Sequence, residues 1–359
     1  MKKSKKFLQP IYEMPKVIWF EPSGEKDLKL IGPLIQCRVP VDRTDTLNEF
    51  KWDYEPIPKD FSDAKSWDDC CFSRAEELWG MNKPITVLWS GGIDSSTTFL
   101  ALRETMPSNG ELHVRYSQHS IDEFPSMYGA VKEFSEPYLK SSVEYFDKDF
   151  LKQDHMFVSG EPADMIFGTS TFFKKYADIM TEPWESLLYL EDFHPYDLDT
   201  KDRYRVACLV EQHMEKSPIE IKTIFDVYWW LSFCFKYTQV DRIMFCSFFL
   251  SDVSDMHKNY SFYNTVDFQK WSMCFHDLKH HNTRTSHKKP SKDFIYKFIK
   301  DKDYHTHKTQ EPSVLKHFDP DWISSRLNGK DKLKLLLDDG RSWRGKDIIP
   351  EDVLNECRK

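Results

Sequence analysis

The chain has 359 residues, 40% of them hydrophobic and 15% aromatic, and carries a formal net charge of −8. At about 150 residues per domain this predicts roughly two domains' worth of chain with a sizeable core, and the aromatic content excludes intrinsic disorder. Twelve glycines without a period exclude fibrous and solenoid classes, while the negative balance excludes a global basic field and leaves only a local patch for any nucleic-acid site.

Residues 1–80 read as a small irregular unit with short extended signals at Lys16–Phe20 and Leu30–Val39, broken by Pro10, Pro15, Pro22, Pro33 and Pro40. The basic start, Met1 to Lys6, is not followed by an apolar segment of signal-peptide length. From Lys83 the pattern alternates. Ile85–Trp89 predicts a buried strand ending at Gly91-Gly92, and Ser95–Glu104 a helix. Leu112–Tyr116 predicts a second strand, Met127–Tyr138 a helix, Val143–Phe146 a third strand and His155–Val158 a fourth. Strands separated by helices imply an α/β fold with a parallel sheet, whose ligands gather at the strands' C-terminal ends.

Beyond about residue 200 the chain reads as mainly helical, over Arg205–Lys216, Ile219–Tyr237 and Lys292–Lys300, with the doublet Trp229-Trp230 in the core. The aromatic-rich stretch Phe225–Leu250 is interrupted by Lys236, Asp241 and Arg242, so no run approaches the ~20 apolar residues that cross a bilayer. The His- and Lys-rich segment from His276 to Lys289 reads as a solvated loop in preference to a metal site or a phosphate clamp. Residues 321–359 form a highly charged tail with one amphipathic piece, Lys330–Leu337. Eight cysteines without a CxxC pair, including the vicinal Cys70-Cys71, read as reduced thiols. The expectation is a soluble cytoplasmic protein.

Two motifs carry chemistry. Ser90-Gly91-Gly92-Ile93-Asp94-Ser95-Ser96 lies where the first strand turns into a helix. Its glycines let backbone N–H groups approach an anion, the helix start adds its unpaired donors and dipole, and the serines add hydroxyls. Asp94 can hold the Mg²⁺ that accompanies a triphosphate. The alternative is an ordinary Gly-rich turn with a capped helix. The second motif, Gly160-Glu161-Pro162-Ala163-Asp164-Met165-Ile166-Phe167-Gly168, follows the apolar run ending at Val158. Asp164 at such a strand-to-helix junction can complete a two-carboxylate Mg²⁺ site with Asp94, and Glu161 would face the reacting centre as a proton acceptor. The alternative is that both acids only cap a helix.

The first string resembles the SGGxDS signature of ATP pyrophosphatases with a PP-loop. The second is similar to the GEGADELFGGY element of asparagine synthetase C-terminal domains, with Pro162 and Met165 departing and Thr169-Ser170 in place of the last Gly-Tyr. Val240-Asp241-Arg242, and Tyr260–Asn264 with Asp267-Phe268, resemble later family elements, but Phe233 and Cys234 stand where the family has two acids, and Asp226 is the candidate substitute. The resemblance covers about residues 81–320. It implies a parallel-sheet adenine nucleotide alpha-hydrolase-like (HUP/PP-loop) core that binds ATP and Mg²⁺ and forms AMP and pyrophosphate while adenylating a carboxylate. Ser90, Gly91, Gly92, Asp94, Ser95 and Ser96 would hold the phosphates, and Ser117 would lie near the adenine. Asp94 and Asp164 would bind the metal. Glu161 would assist an attacking ammonia or amine, and Lys308, with Lys302 as alternative, would supply the family's late-loop lysine.

Residue 2 is Lys and the first cysteine is Cys37, so the expectation is that this chain does not itself hydrolyse glutamine. Nitrogen would come from ammonia, an amine substrate or a separate glutaminase. Two further readings remain. One is a PP-loop enzyme modifying a nucleobase or nucleotide (deazaguanine or tRNA type), for which the four-Cys zinc cluster and paired catalytic cysteines are missing. The other is a non-catalytic ATP-binding regulatory protein.

Overall fold

In the computed structural model the described residues are 43–44, 56–134, 154–168, 179–189, 200–237, 259–279 and 285–309. The expected strand Val143–Phe146, the Val240-Asp241-Arg242 element and the amphipathic piece at Lys330–Leu337 lie outside them.

Four short strands form one all-parallel sheet: β1 (Ile85–Leu88), β2 (Leu112–Arg115), β3 (Met156–Ser159) and β4 (Asn259–Ser261). Their order is β2-β1-β3-β4. The chain therefore moves from β1 to one side, then returns to the other, so a topological switch point falls between β1 and β3. Ligand crevices open at such points, beyond the carboxyl ends of the strands. Pairs such as Val87 with Val114 and Val158 with Tyr260 fix the register.

Ten α-helices are described, besides short 3₁₀ segments. Helix α1 (Trp67–Trp79) begins at Ser66, whose side chain accepts from the Asp69 N–H, and α2 (Ile93–Glu104) begins at Gly92. After β2 come α3 (Gln118–Glu123), and then α4 (Tyr128–Val131), which covers only the start of the helix expected over Met127–Tyr138, whose residues 135–138 lie outside the described ones. Pro125 and an intervening 3₁₀ turn separate them. Then follow α5 (Ala163–Phe167), α6 (Thr200–Met214), α7 (Ile224–Phe235), α8 (Val266–Cys274), α9 (Lys289–Ile299) and α10 (Lys302–His307). No described helix is long and apolar enough to cross a membrane.

Helix α2 packs on β1 and β3 and against α1 and α9. Helix α1 thus belongs to the main core, although its sequence falls in the stretch that reads as irregular. Its Trp67 ring meets Phe167, Tyr263, Phe268 and Trp271 at centroid distances of 4.5–5.7 Å, and the Trp79 indole donates to the Leu102 carbonyl. All twelve residues of α7 are buried, which explains a sequence apolar on every side. Its start is a reciprocal cap between Thr223 and Asp226. Cys70 and Cys71 are fully buried, and burial pushes the Cys70 thiol up to about 12 and Cys71 well above its ordinary value, so neither is a thiolate.

Candidate functional site

The two motifs meet at the switch point. The first forms the turn from β1 into α2, and the second the turn from β3 into α5. Gly91 has φ of +78°, and a Cβ there would run into the Ser120 carbonyl oxygen, so only glycine makes this turn beside α3. Gly160 serves close approach. A Cβ on it would stand 2.8 Å from the Ser95 backbone nitrogen and 2.9 Å from the Asp94 carbonyl carbon. Tyr263 ties the two turns, donating its hydroxyl to the Asp94 carbonyl (3.1 Å) and its N–H to the Glu161 carbonyl (3.0 Å). The Tyr260–Asn264 segment, singled out by sequence, therefore reaches the site from the end of β4.

The serines of the first motif organise their own loop. Ser95 Oγ lies 3.0 Å from Ser90 Oγ and accepts from the Ser90 N–H, while Ser90 Oγ accepts from the Gly92 N–H. Ser96 Oγ accepts from the Trp89 indole at 2.9 Å. No side chain caps α2 at Gly92, and Asp94 stands in its first turn. Ser117, after β2, is buried and shares a capping box with Ser120 at the start of α3.

At the centre are Asp94 and Asp164, bridged by a residue that the sequence did not offer. Lys288 Nζ lies 2.5 Å from Asp94 Oδ2 and 2.5 Å from Asp164 Oδ1. The lysine side chain is 1% exposed, and each carboxylate keeps about a quarter of its surface (25%). Burial, opposed by Lys288 and aided by the neighbouring Asp164 charge, pushes the Asp94 carboxyl up to about 6. Burial also acts to raise Asp164, but the Lys288 ammonium overrules it and holds that carboxyl down at about 2. Two carboxylates sharing one cation separate in this way, because the second charge is harder to place than the first. Despite burial, the two carboxylates drive Lys288 upward, so it stays charged.

Lys288 belongs to the segment that reads as a solvated loop, and here the structure corrects the sequence. Lys279, His287 and Lys288 are buried. The His287 ring bonds the Gly168 carbonyl at 2.9 Å, the Lys288 N–H donates to the Lys279 carbonyl, and Lys288 has a left-handed backbone with φ of +57°. That conformation costs a lysine about 1–2 kcal/mol, and the ion pairs at the far end of its side chain oppose that cost. The physical reason for the misreading is partnership: a charge run is solvated only when no buried opposite charge is within reach.

Lys308 comes to the edge of the same site. Its Nζ bonds Glu123 Oε1 at 2.9 Å, and that oxygen would lie 3.7 Å from a Cβ on Gly92. The Tyr304 hydroxyl of α10 donates to the Gly91 carbonyl, and its ring stacks on Phe124 at 3.5 Å. Lys302 is exposed. Glu161 is half-buried at the head of the second turn. Asp226 does not join it: one oxygen accepts from the Lys222 and Thr223 N–H groups and the other bonds His276 at 2.7 Å.

The donor set suits a hard divalent cation. Asp94 Oδ1 is buried with no hydrogen-bond partner among the described residues, and beside it stand a second carboxylate and an uncapped helix start. Magnesium commonly takes one or two carboxylates plus phosphate oxygens. Ser159, at the end of β3, also has a buried hydroxyl without a partner among the described residues.

Comparison of the chain with protein-family models, curated proteins and solved structures finds no match in any of the three.

Proposed function

We propose that this chain is an ATP-dependent, AMP- and pyrophosphate-forming carbon–nitrogen ligase of the PP-loop kind, similar in its site to the synthetase domain of asparagine synthetases. The observation that carries the reading is the convergence of the two motif turns at one switch point, with Asp94 and Asp164 sharing the Lys288 ammonium and one Asp94 oxygen left over.

The start of α2 and the Gly91-Gly92 turn would receive the β and γ phosphates, because a helix N-terminus without a side-chain cap favours an anion. Asp94 and Asp164 would hold Mg²⁺, which supplies charge neutralisation to the polyphosphate. A substrate carboxylate oxygen attacks the α-phosphorus, the bond to the β-bridging oxygen breaks, and pyrophosphate leaves an acyl-adenylate. Ammonia or an amine then attacks the acyl carbon, AMP departs, and Glu161 accepts the proton released from nitrogen. Lys288, paired with Asp94 and Asp164, and Lys308, paired with Glu123, would be the fixed cations where negative charge develops.

The test is product analysis after incubation with ATP, Mg²⁺, ammonium and a panel of carboxylates including aspartate. AMP and pyrophosphate that disappear in Asp94→Ala and Asp164→Ala support the reading; ADP and phosphate refute it. A second reading, ATP binding without turnover, is favoured by one observation: Lys288 already neutralises the carboxylates that a metal needs. It expects measurable ATP binding with no product from any acid.

A further inference from the structure

At the opposite end of the sheet, where β2 and β3 begin, Glu111, His113 and His155 lie together. One possible ligand atom from each falls within 4.8 Å of the others. We propose that these three residues form a site for a late first-row divalent metal ion of the zinc type, independent of the ATP site and of the function proposed for it.

The placement follows from the register. Thr86 of β1 is paired with His113 of β2 and with Phe157 of β3. His155, two residues before Phe157, falls on the same face of the sheet, because strand side chains alternate. The two imidazoles lie nearly face to face, with centroids 4.8 Å apart and planes 28° from parallel. Glu111, one strand step away from His113 on that face, has Oε1 2.8 Å from His113 Nε2.

Two imidazoles and one carboxylate are a donor set that zinc and its neighbours take, at about 2.0–2.2 Å from the metal. Donor atoms of a tetrahedral site stand about 3.3 Å apart at those bond lengths, so the cluster needs only side-chain rotation to close. Glu111 is exposed and both histidines are half-exposed, which leaves that rotation open and a fourth position to water. An orienting partner is already in place. Thr86, fully buried, has Oγ1 3.0 Å from His155 Nδ1. When Nδ1–H donates to this hydroxyl, the Nε2 lone pair is the one presented to a cation, the arrangement that outer-sphere partners impose on metal-binding histidines. A metal here would tie the residues that enter β2 to those that enter β3 across β1.

The test is equilibrium dialysis of the full chain against Zn²⁺ and Co²⁺, with metal content and the Co²⁺ absorption spectrum as readouts. The expected result is one equivalent per chain, with affinity at least tenfold lower in His113→Ala and His155→Ala. Thr86→Val should weaken it by about tenfold, as loss of an outer partner does. Glu111→Gln, at an exposed position, decides the matter should a histidine variant fail to fold, and it too should weaken binding. The proposal is overturned if the chain takes up no stoichiometric metal, if these variants bind as tightly as the parent chain, or if bound Co²⁺ shows a sulfur-to-metal charge-transfer band, which would place it on cysteines.

Discussion

Replacing Lys288 by Met removes the shared ammonium while keeping most of the side chain's length. Breaking a buried ion pair by deleting one partner costs roughly 3–5 kcal/mol. Here the carboxylates keep about 25% of their surface exposed, so water screens them and the lower end, about 3 kcal/mol, applies at neutral pH. The loss should depend on pH. The Asp94 carboxyl already stands at about 6 with the lysine present, and without the lysine it rises further. A carboxyl raised above its unfolded value of 3.8 contributes stability that is full below that value and lost as pH rises through the folded value. The variant should therefore lose more stability at about pH 8 than at about pH 5, where Asp94 takes up a proton and the repulsion disappears. Urea unfolding at the two pH values measures this, and Asp94→Asn added to Lys288→Met should recover much of the loss at high pH. A variant as stable as the parent at both pH values, or a loss that neither pH nor Asp94→Asn changes, would refute the view that this ammonium holds the two carboxylates together.

Other outcomes follow from the same geometry. Gly160→Ala forces a methyl group against the Ser95 and Asp94 backbone, with no flexible side chain to yield. It should cost about 1–3 kcal/mol as an overpacking change and weaken nucleotide binding, read by calorimetry; unchanged binding would mean that the two turns do not act as one site. Lys308→Ala leaves the Glu123 carboxylate beside Gly92 without that ion pair. It should weaken ATP–Mg binding about tenfold, roughly the 1.4 kcal/mol expected of one displaced charge, and Glu123→Gln in that background should restore part of it. Away from the site, His276 Nε2 bonds Asp226 and Nδ1 lies 2.7 Å from Lys279 Nζ, whose own pKa burial pushes well below its ordinary value. Burial and the nearby Lys279 lower the His276 pKa to about 4. A base lowered from 6.5 favours the fold above that value and loses this contribution as pH falls through about 4. The shift corresponds to about 3 kcal/mol at 1.36 kcal/mol per pH unit. Urea unfolding between pH 7 and 4 should show the decline in the parent chain and a flatter profile in His276→Gln.

What the sequence disclosed was short-range. The Ser90–Ser96 turn and the Gly160–Gly168 turn were legible because a glycine at positive φ, a strand before and a helix after are encoded within a few neighbouring residues. β1, β2 and β3 were placed within a residue or so at most ends for the same reason. Strand β4, only three residues long, carries too little pattern to be read by period. Helix α1 was missed because the prolines upstream coloured the whole stretch, while its own signal, Ser66 followed by Trp67, Cys70, Cys71, Ala75 and Leu78 on the buried side, was present. Lys288 was illegible for a deeper reason. Its partner Asp94 lies 194 residues earlier, and no local rule distinguishes a lysine that finds a buried carboxylate from one that meets water. Asp226 erred in the opposite sense: proposed as a partner for Glu161, it is consumed by a helix cap that its own neighbour Thr223 had announced.

The shared lysine also explains how two carboxylates stay side by side in this fold. Asp94 and Asp164 meet where two strand-to-helix turns are pressed together by Gly160, and two bare carboxylates there would repel each other in a medium that screens poorly. One ammonium reduces their formal sum to −1 and holds one oxygen of each, leaving Asp94 Oδ1 buried and without a partner among the described residues. A resident cation with a single leftover acceptor is a weak site for a bare divalent ion, since Lys288 repels it. It is a better one for an ion that arrives with phosphates, whose negative charge Lys288 attracts. On the proposed function the arrangement would tie metal binding to nucleotide binding: Mg²⁺ alone should stabilise the chain little, ATP alone modestly, and the two together by more than their sum. Thermal unfolding with each ligand and with both measures that coupling, and in Lys288→Met the order should reverse, with Mg²⁺ alone stabilising the chain because it stands in for the missing ammonium.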